Sequence, residues 1–156
     1  MTSQLVDALP EQAIAIKAEA TDWRHAVTLA GDALVASGAT TDAYTEAMLA
    51  AIDELGPYIV IAPGLALAHA RPSEAVLHTG LSWVSLAEPV EFGHASNDPV
   101  TLVLGLAAPD HDGHLEIMSA LAGILADPER MSRLEHANSA EHVRELLTEF
   151  TTDPLG

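Results

Sequence analysis

The chain contains no cysteine, which excludes disulfide bonds, thiolate zinc sites and cysteine nucleophiles. Aromatic residues are only 4% of the sequence, while hydrophobic residues together reach 49%, so the core must be built mainly from aliphatic side chains. No apolar run reaches the roughly 20 residues of a membrane-spanning helix, since the longest, from Ile59 to Ala68, is interrupted by Pro63 and Gly64. The N-terminus lacks the basic and apolar pattern of a signal peptide, and we therefore expect a cytoplasmic protein.

Basic residues are also scarce: 6 lysines and arginines stand against 23 aspartates and glutamates, which gives a formal net charge of −17. Nucleic acid and anionic lipid are not expected as partners, because both are bound through Lys and Arg side chains that neutralise phosphates. A protein partner with a basic surface would instead be steered electrostatically toward this chain. The acidity also fits a simple role in solubility, and the sequence leaves both interpretations open.

Hydrophobic periodicity predicts one domain over residues 1–150, followed by a frayed tail over 151–156. Strands are predicted over residues 13–18, 58–62, 65–69, 80–86, 90–92 and 100–107. Helices are predicted over residues 22–37, 41–55, 114–125, 128–136 and 140–150. Helices on either side of a central group of strands imply an α/β sandwich of two or three layers.

The segment from His69 to Pro72 carries the most specific chemical signal of the chain. Proline disfavours the helical region for the residue before it, so Arg71 is expected to be extended. In an extended backbone, side chains two positions apart point to the same side, which would bring His69 and Arg71 together at the exit of an apolar strand. An imidazole can accept a phosphoryl group and a guanidinium can neutralise its oxygens. The alternative is a histidine that only hydrogen-bonds a turn.

A second polar cluster, Asp110-His111-Asp112-Gly113-His114, follows the most apolar strand. If Asp112 or Gly113 is the N-cap, His114 lies in the first helical turn, where free amides and the helix dipole favour an anion and a neutral imidazole. A metal site built on His111, His114 and Asp112 is the competing interpretation.

Residues 54–72, which read ELGPYIVIAPGLALAHARP, resemble the enzyme IIA components of the bacterial sugar phosphotransferase system. The resemblance is strongest to the ascorbate branch of the mannitol/fructose-type group. Further matches follow in the same order: Thr79-Gly80-Leu81, Pro89-Val90-Glu91-Phe92, Asn97-Asp98-Pro99-Val100, Leu106-Ala107-Ala108 and His114. The resemblance is densest over residues 54–125 and extends more loosely over nearly the whole chain.

This resemblance implies a mixed central sheet flanked by helices on both sides, a three-layer α/β sandwich. It implies that His69 takes a phosphoryl group from the phosphocarrier protein HPr and passes it to an enzyme IIB, which serves a membrane permease, IIC. His114 would orient the phosphoryl group, and neither a metal nor a cofactor is expected. One departure is that Ala68 stands where the family usually has proline.

Another departure lies in residues 51–54, which lack an arginine found in the mannitol branch, and we assign its charge-neutralising role to Arg71. Leu65 and Leu67 are expected to form an apolar rim that keeps water from the phosphorylated ring. A regulatory relative, phosphorylated on the same histidine but signalling to other proteins, is an alternative to a transport role. The sequence also leaves open the sugar, the phosphorylated ring nitrogen and a homodimer.

Overall fold

A computed structural model describes residues 8–56, 58–71, 73–94, 96–125 and 127–151, with the backbone alone described at positions 111, 113, 114, 116, 125 and 151. The described strands are β1 (Ile14–Ala18), β2 (Val60–Ala62), β3 (Leu65–His69), β4 (Gly80–Val90) and β5 (Val100–Ala107). The described α-helices are α1 (Trp23–Ala36), α2 (Asp42–Leu55), α3 (His111–Leu125), α4 (Pro128–Glu135) and α5 (Ala140–Thr151). None of the described helices is long and apolar enough to cross a membrane.

The strands form one mixed sheet in the order β1-β4-β5-β3-β2. The pairs β1–β4 and β3–β5 are parallel, whereas β4–β5 and β2–β3 are antiparallel. The predicted mixed α/β sheet is therefore confirmed. Because β3 and β5 are parallel neighbours, their carboxyl ends lie side by side, with His69 directly opposite Leu106.

The two faces of the sheet differ in side-chain size, because successive residues of a strand point to opposite faces. In β3, Ala66 and Ala68 belong to the core that includes α1 and α2, whereas Leu65 and Leu67 belong to the core that includes the C-terminal helices. The first core takes Val27, Leu34, Tyr44, Met48 and Ile52 from its helices, and the second takes Ile117, Leu121, Ile124, Leu134, Val143 and Leu147. Helices thus cover both faces, which confirms the three-layer sandwich.

Small residues on the first face let α1 approach the sheet closely. The Ser82 hydroxyl is fully buried and donates a hydrogen bond to the Ala30 carbonyl of α1 at 2.8 Å. A Cβ atom added at Gly105 would come within 2.3 Å of the Ser82 Oγ atom and 3.3 Å of the Ala30 carbonyl oxygen. Glycine at position 105 is therefore required by the buried Ser82 hydroxyl, and the close approach of α1 leaves little further room.

Several boundaries differ from the sequence prediction, and β2 begins at Val60, two residues later than predicted. A 3-10 helix, Glu11–Ala13, precedes β1 and was not predicted, while α5 includes Thr151, which was predicted to fray. Two strands were predicted over 80–86 and 90–92, but the structure has one strand, β4. The exposed residues that join its two parts lie at an irregularity of the pairing with β5, and Pro89 is tolerated there because it has no regular ladder bond to donate. α3 begins at His111, three residues earlier than predicted, so Asp112 and Gly113 lie inside the helix and are not its N-cap.

Candidate functional site

His69 is the last residue of β3 and its side chain is partly buried. Strand alternation places it on the same face as Leu65 and Leu67, which is the face covered by α3. Its neighbour across the ladder is Leu106, near the end of β5, and the chain leaving β5 enters α3 at His111. The C-terminal ends of two parallel strands and the start of a helix therefore meet at His69, which is where α/β folds commonly build sites.

The His69 imidazole is oriented by the backbone of its own strand. Its Nδ1 atom lies 2.8 Å from the carbonyl oxygen of Leu67. A carbonyl oxygen can only accept a hydrogen bond, so Nδ1 must carry the proton that is donated. In the neutral ring the lone pair is then on Nε2. The backbone thereby selects one tautomer.

Tyr58, in the loop before β2, contacts His69 in two ways. Its ring meets the imidazole edge to face, with centroids 5.3 Å apart and planes at 80°. Its hydroxyl donates a hydrogen bond to the His69 carbonyl oxygen at 3.0 Å. Partial burial raises the pKa of the Tyr58 phenol, so the hydroxyl stays protonated, and able to donate, at neutral pH.

Tyr44, on α2, forms hydrogen bonds with Ala70, the residue that follows His69, from the face of the sheet that α1 and α2 cover. Its hydroxyl donates to the Leu106 carbonyl at 2.6 Å and accepts from the Ala70 amide at 3.0 Å, with the Ala70 carbonyl at 3.2 Å. The side chain is almost completely buried, and burial raises the pKa of Tyr44 to about 12, against a lowering by the Ala70 amide. One phenol thus ties the exit of β3 to the end of β5.

Arg71 lies two residues beyond the end of β3 and is exposed. Among the described residues it forms no ion pair, whereas Arg24, Arg130 and Arg133 are each paired with a carboxylate. Its guanidinium is therefore available to an anion as far as the described side chains are concerned. Pro72, which was predicted to hold Arg71 extended, lies outside the described residues.

The predicted apolar rim is wrong, because Leu65 and Leu67 are each only 1% exposed and belong to the core between the sheet and the C-terminal helices. Both side chains occupy inward positions of a strand that is buried up to its last residue. Among the described residues, Tyr58 is an exposed apolar side chain that contacts His69; the other large exposed apolar side chains are those of Leu55, Ile61, Leu77 and Leu115.

The first turn of α3 contains the predicted second cluster. His111, Asp112 and His114 all fall within this turn, and Asp112 is exposed. The side chains of His111 and His114 lie outside the described part of the structure, so the predicted contact between His114 and a phosphoryl group stays a prediction. In the part that is described, no three His, Asp or Glu side chains are grouped so that they could hold a metal ion. The metal interpretation, which depends on His111 and His114, is neither supported nor contradicted by that finding.

The sequence analysis gave neither Tyr44 nor Tyr58 a role at the site. No local pattern links Tyr44 to His69, because the two meet only when α2 packs against the ends of β3 and β5. Tyr58 offered a weak signal, since it is the first residue of the strand predicted over 58–62, which directly precedes the strand that ends at His69.

Residues 7–150 match the model of the family described as the phosphoenolpyruvate-dependent sugar phosphotransferase system, EIIA 2. The chain is 39% identical over 146 residues to the ascorbate-specific phosphotransferase-system EIIA component of Escherichia coli K12, covering 92% of this chain and 95% of that protein. These two findings confirm the resemblance predicted from residues 54–72.

Solved structures agree with the sequence relatives. The mannitol-specific cryptic phosphotransferase enzyme IIA CmtB of Escherichia coli superposes with a TM-score of 0.84 at 31% identity, covering 94% of this chain and 99% of that one. Enzyme IIA of the mannitol system, solved in complex with phosphorylated enzyme IIB from Escherichia coli, gives a TM-score of 0.78 at 29% identity, with 90% and 96% covered.

Proposed function

Since the chain belongs to the EIIA 2 family of the phosphoenolpyruvate-dependent sugar phosphotransferase system, we propose that His69 is its phosphoryl acceptor and that Nε2 forms the bond. Members of this family are phosphotransferases that act through a phosphohistidine. The observation that carries the assignment is the hydrogen bond from Nδ1 of His69 to the Leu67 carbonyl, because it places the proton of the neutral ring on Nδ1 and the lone pair on Nε2.

The proposed step balances without a metal or a proton transfer. The Nε2 lone pair of His69 attacks the phosphorus of a phosphohistidine on the donor protein, in line with the breaking N–P bond. The electron pair of that bond returns to the donor imidazole, which leaves as a neutral ring because its other nitrogen already carries a proton. The Nδ1 proton of His69 stays in place, and the ring becomes more positive as the new N–P bond forms. The Leu67 carbonyl, 2.8 Å away, then accepts a stronger, charge-assisted hydrogen bond.

Two further groups are proposed to stabilise the phosphoryl oxygens. The exposed Arg71 guanidinium would neutralise their charge, and His114 with the first-turn amides of α3 would orient them. In histidine-to-histidine transfer the phosphohistidine reactant and product have nearly equal free energies, so the protein contributes mainly by positioning and by charge stabilisation.

The proposed donor is HPr and the proposed acceptor is an enzyme IIB that serves a IIC permease. The solved complex of a 29%-identical IIA with its phosphorylated IIB supports a IIB partner. The 39%-identical ascorbate-specific relative supports ascorbate, or a related acid sugar, as the substrate of the system. Self-association of the chain stays a prediction that sedimentation velocity would measure.

Labelling with phosphorylated HPr tests the proposal directly. The wild-type protein should take up one phosphoryl group that is labile in acid and stable in base, as expected for a phosphoramidate. His69→Ala should take up none, and His142→Ala, a change of a partly buried histidine in the first turn of α5, should be labelled like the wild type. Label on His69→Ala would reject His69 as the acceptor.

A second stage separates transport from regulation. Labelled protein should pass its phosphoryl group to the IIB of an ascorbate-type system, and deletion of the gene should abolish growth on ascorbate. Labelling of His69 without transfer to IIB would favour the regulatory alternative.

A further inference from the structure

Two phenols hold the two polar groups of a single peptide unit. In the peptide between His69 and Ala70, the carbonyl accepts a hydrogen bond from Tyr58 at 3.0 Å and the amide donates one to Tyr44 at 3.0 Å. The Tyr44 bond comes from the buried side and the Tyr58 bond from the surface, where Tyr58 is 36% exposed. This peptide is the first beyond the last β3 residue, where the regular ladder stops constraining the backbone.

The side chain of His69 is constrained together with its backbone. The Leu67 carbonyl fixes the direction of Nδ1, and the Tyr58 ring lies edge to face against the imidazole at 5.3 Å. The second side-chain torsion of histidine is broad and roughly two-fold, so backbone geometry alone does not determine which way the ring faces. A half-turn about this torsion would exchange Nδ1 with a ring carbon and would move Nε2 away from its position.

We propose that Tyr58 is a positioning residue for phosphoryl transfer, which holds the His69 ring and carbonyl so that Nε2 presents its lone pair to the docking donor. The inference rests on the proposed function of His69 and adds a residue that never touches the phosphoryl group. The hydroxyl and the ring contribute separately, because the hydroxyl fixes the peptide and the ring restricts imidazole rotation.

The expected loss of transfer rate in the Tyr58 variants follows from the geometry that the reaction requires. Nucleophilic attack needs the reacting atoms about 3 Å apart and aligned, and a displacement of about 1 Å can cost a factor of about 100 in rate. Tyr58→Phe removes only the hydroxyl, so transfer from phosphorylated HPr should slow by about three- to tenfold, the range of one hydrogen bond. Tyr58→Leu also removes the ring, and transfer should slow by about 10- to 100-fold.

The decisive readout is the tautomer of His69, which needs no phosphoryl transfer. In protein carrying ¹⁵N-labelled histidine at about pH 8.5, where imidazoles are neutral, the wild-type ring should carry its proton on Nδ1. The His69 signals are assigned by their loss in His69→Ala. Tyr58→Leu should show protonation divided between Nδ1 and Nε2, whereas Tyr58→Phe should keep most of the wild-type pattern.

Two matched variants control for nonspecific effects. Thr28→Ala removes another hydroxyl-to-carbonyl hydrogen bond, from Thr28 to Arg24 at 2.7 Å within α1. Ile61→Ala removes an exposed apolar side chain from β2, the strand that follows Tyr58. Both should transfer within about twofold of the wild type and keep the Nδ1–H tautomer of His69.

The outcomes separate the inference from the function on which it rests. Wild-type transfer rates in both Tyr58 variants, or an unchanged tautomer in Tyr58→Leu, would overturn the positioning role of Tyr58. Equal slowing in Thr28→Ala or Ile61→Ala would overturn it too. If Tyr58→Leu fails to fold, the transfer rate of Tyr58→Phe decides. Failure of wild-type labelling on His69 would instead reject the proposed function, while the tautomer measurement would still report on Tyr58.

Discussion

Tyr44→Phe is the change that most directly tests how the site is attached to the fold. The substitution keeps the ring, which is 1% exposed, and removes the hydroxyl that bonds the Leu106 carbonyl and the Ala70 amide. Each buried polar group left without a partner costs about 1 to 3 kcal/mol. With one donor and one acceptor left unpaired, the free energy of unfolding should fall by about 2 to 6 kcal/mol.

The raised pKa of Tyr44 also makes the stability of the protein depend on alkaline pH. Burial raises the pKa of Tyr44 from 10.0 to about 12, so between these values the unfolded chain releases a proton that the folded chain keeps. The stabilisation linked to this proton is fully present below about pH 10 and is lost as pH rises toward 12. The total loss is about 2 to 3 kcal/mol, at about 1.4 kcal/mol per pH unit.

Urea unfolding of the wild type, Tyr44→Phe and Tyr58→Phe at several pH values between 8 and 11.5 measures both effects. Tyr44→Phe should be destabilised at pH 8 and should lose less stability than the wild type above pH 10. Tyr58→Phe, whose phenol is more exposed, should lose less stability at pH 8. An unchanged stability of Tyr44→Phe at pH 8, or an alkaline slope equal to that of the wild type, would refute the reasoning.

Three other changes have expected outcomes. Gly105→Ala should lower the free energy of unfolding by about 1 to 3 kcal/mol, because its Cβ would lie 2.3 Å from the Ser82 Oγ atom. Chemical denaturation measures this loss of stability, and an unaltered unfolding midpoint would contradict the prediction. Asp98→Ala should destabilise the protein by about 1 to 3 kcal/mol, because the carboxylate accepts hydrogen bonds from three consecutive backbone amides, those of residues 92–94. Asp98→Asn should have a stability between those of the wild type and Asp98→Ala, and thermal unfolding measures both. Arg71→Ala should slow phosphoryl transfer at unchanged stability, and a wild-type transfer rate would show that Arg71 does not neutralise the phosphoryl group.

Most of the fold could be predicted from the sequence because its local signals agree with its tertiary structure. β3 and β5 have the predicted bounds, since a short strand ending in a polar residue and an eight-residue apolar run are unambiguous patterns. The start of α3 was placed too late because Asp112 and Gly113 are typical of caps, yet here they continue a helix that had already begun.

The candidate site was only partly predictable. His69 could be proposed from the sequence because the pattern that singles it out is local to the end of one strand. The contacts of Tyr44 and Tyr58 depend on how α2 and the turn before β2 pack against that strand end, and no periodicity reports this. The apolar rim failed for a related reason: strand alternation turns Leu65 and Leu67 inward, toward the helices of the second core.

The central claim is that Nε2 of His69 carries the transferred phosphoryl group. Phosphorylating ¹⁵N-histidine-labelled protein with HPr and recording ³¹P–¹⁵N coupling identifies the bonded nitrogen directly. We expect one phosphorus signal coupled to Nε2 of His69, with the proton retained on Nδ1, and no such signal in His69→Ala. Coupling to Nδ1, or to any of the other seven histidines, would contradict it.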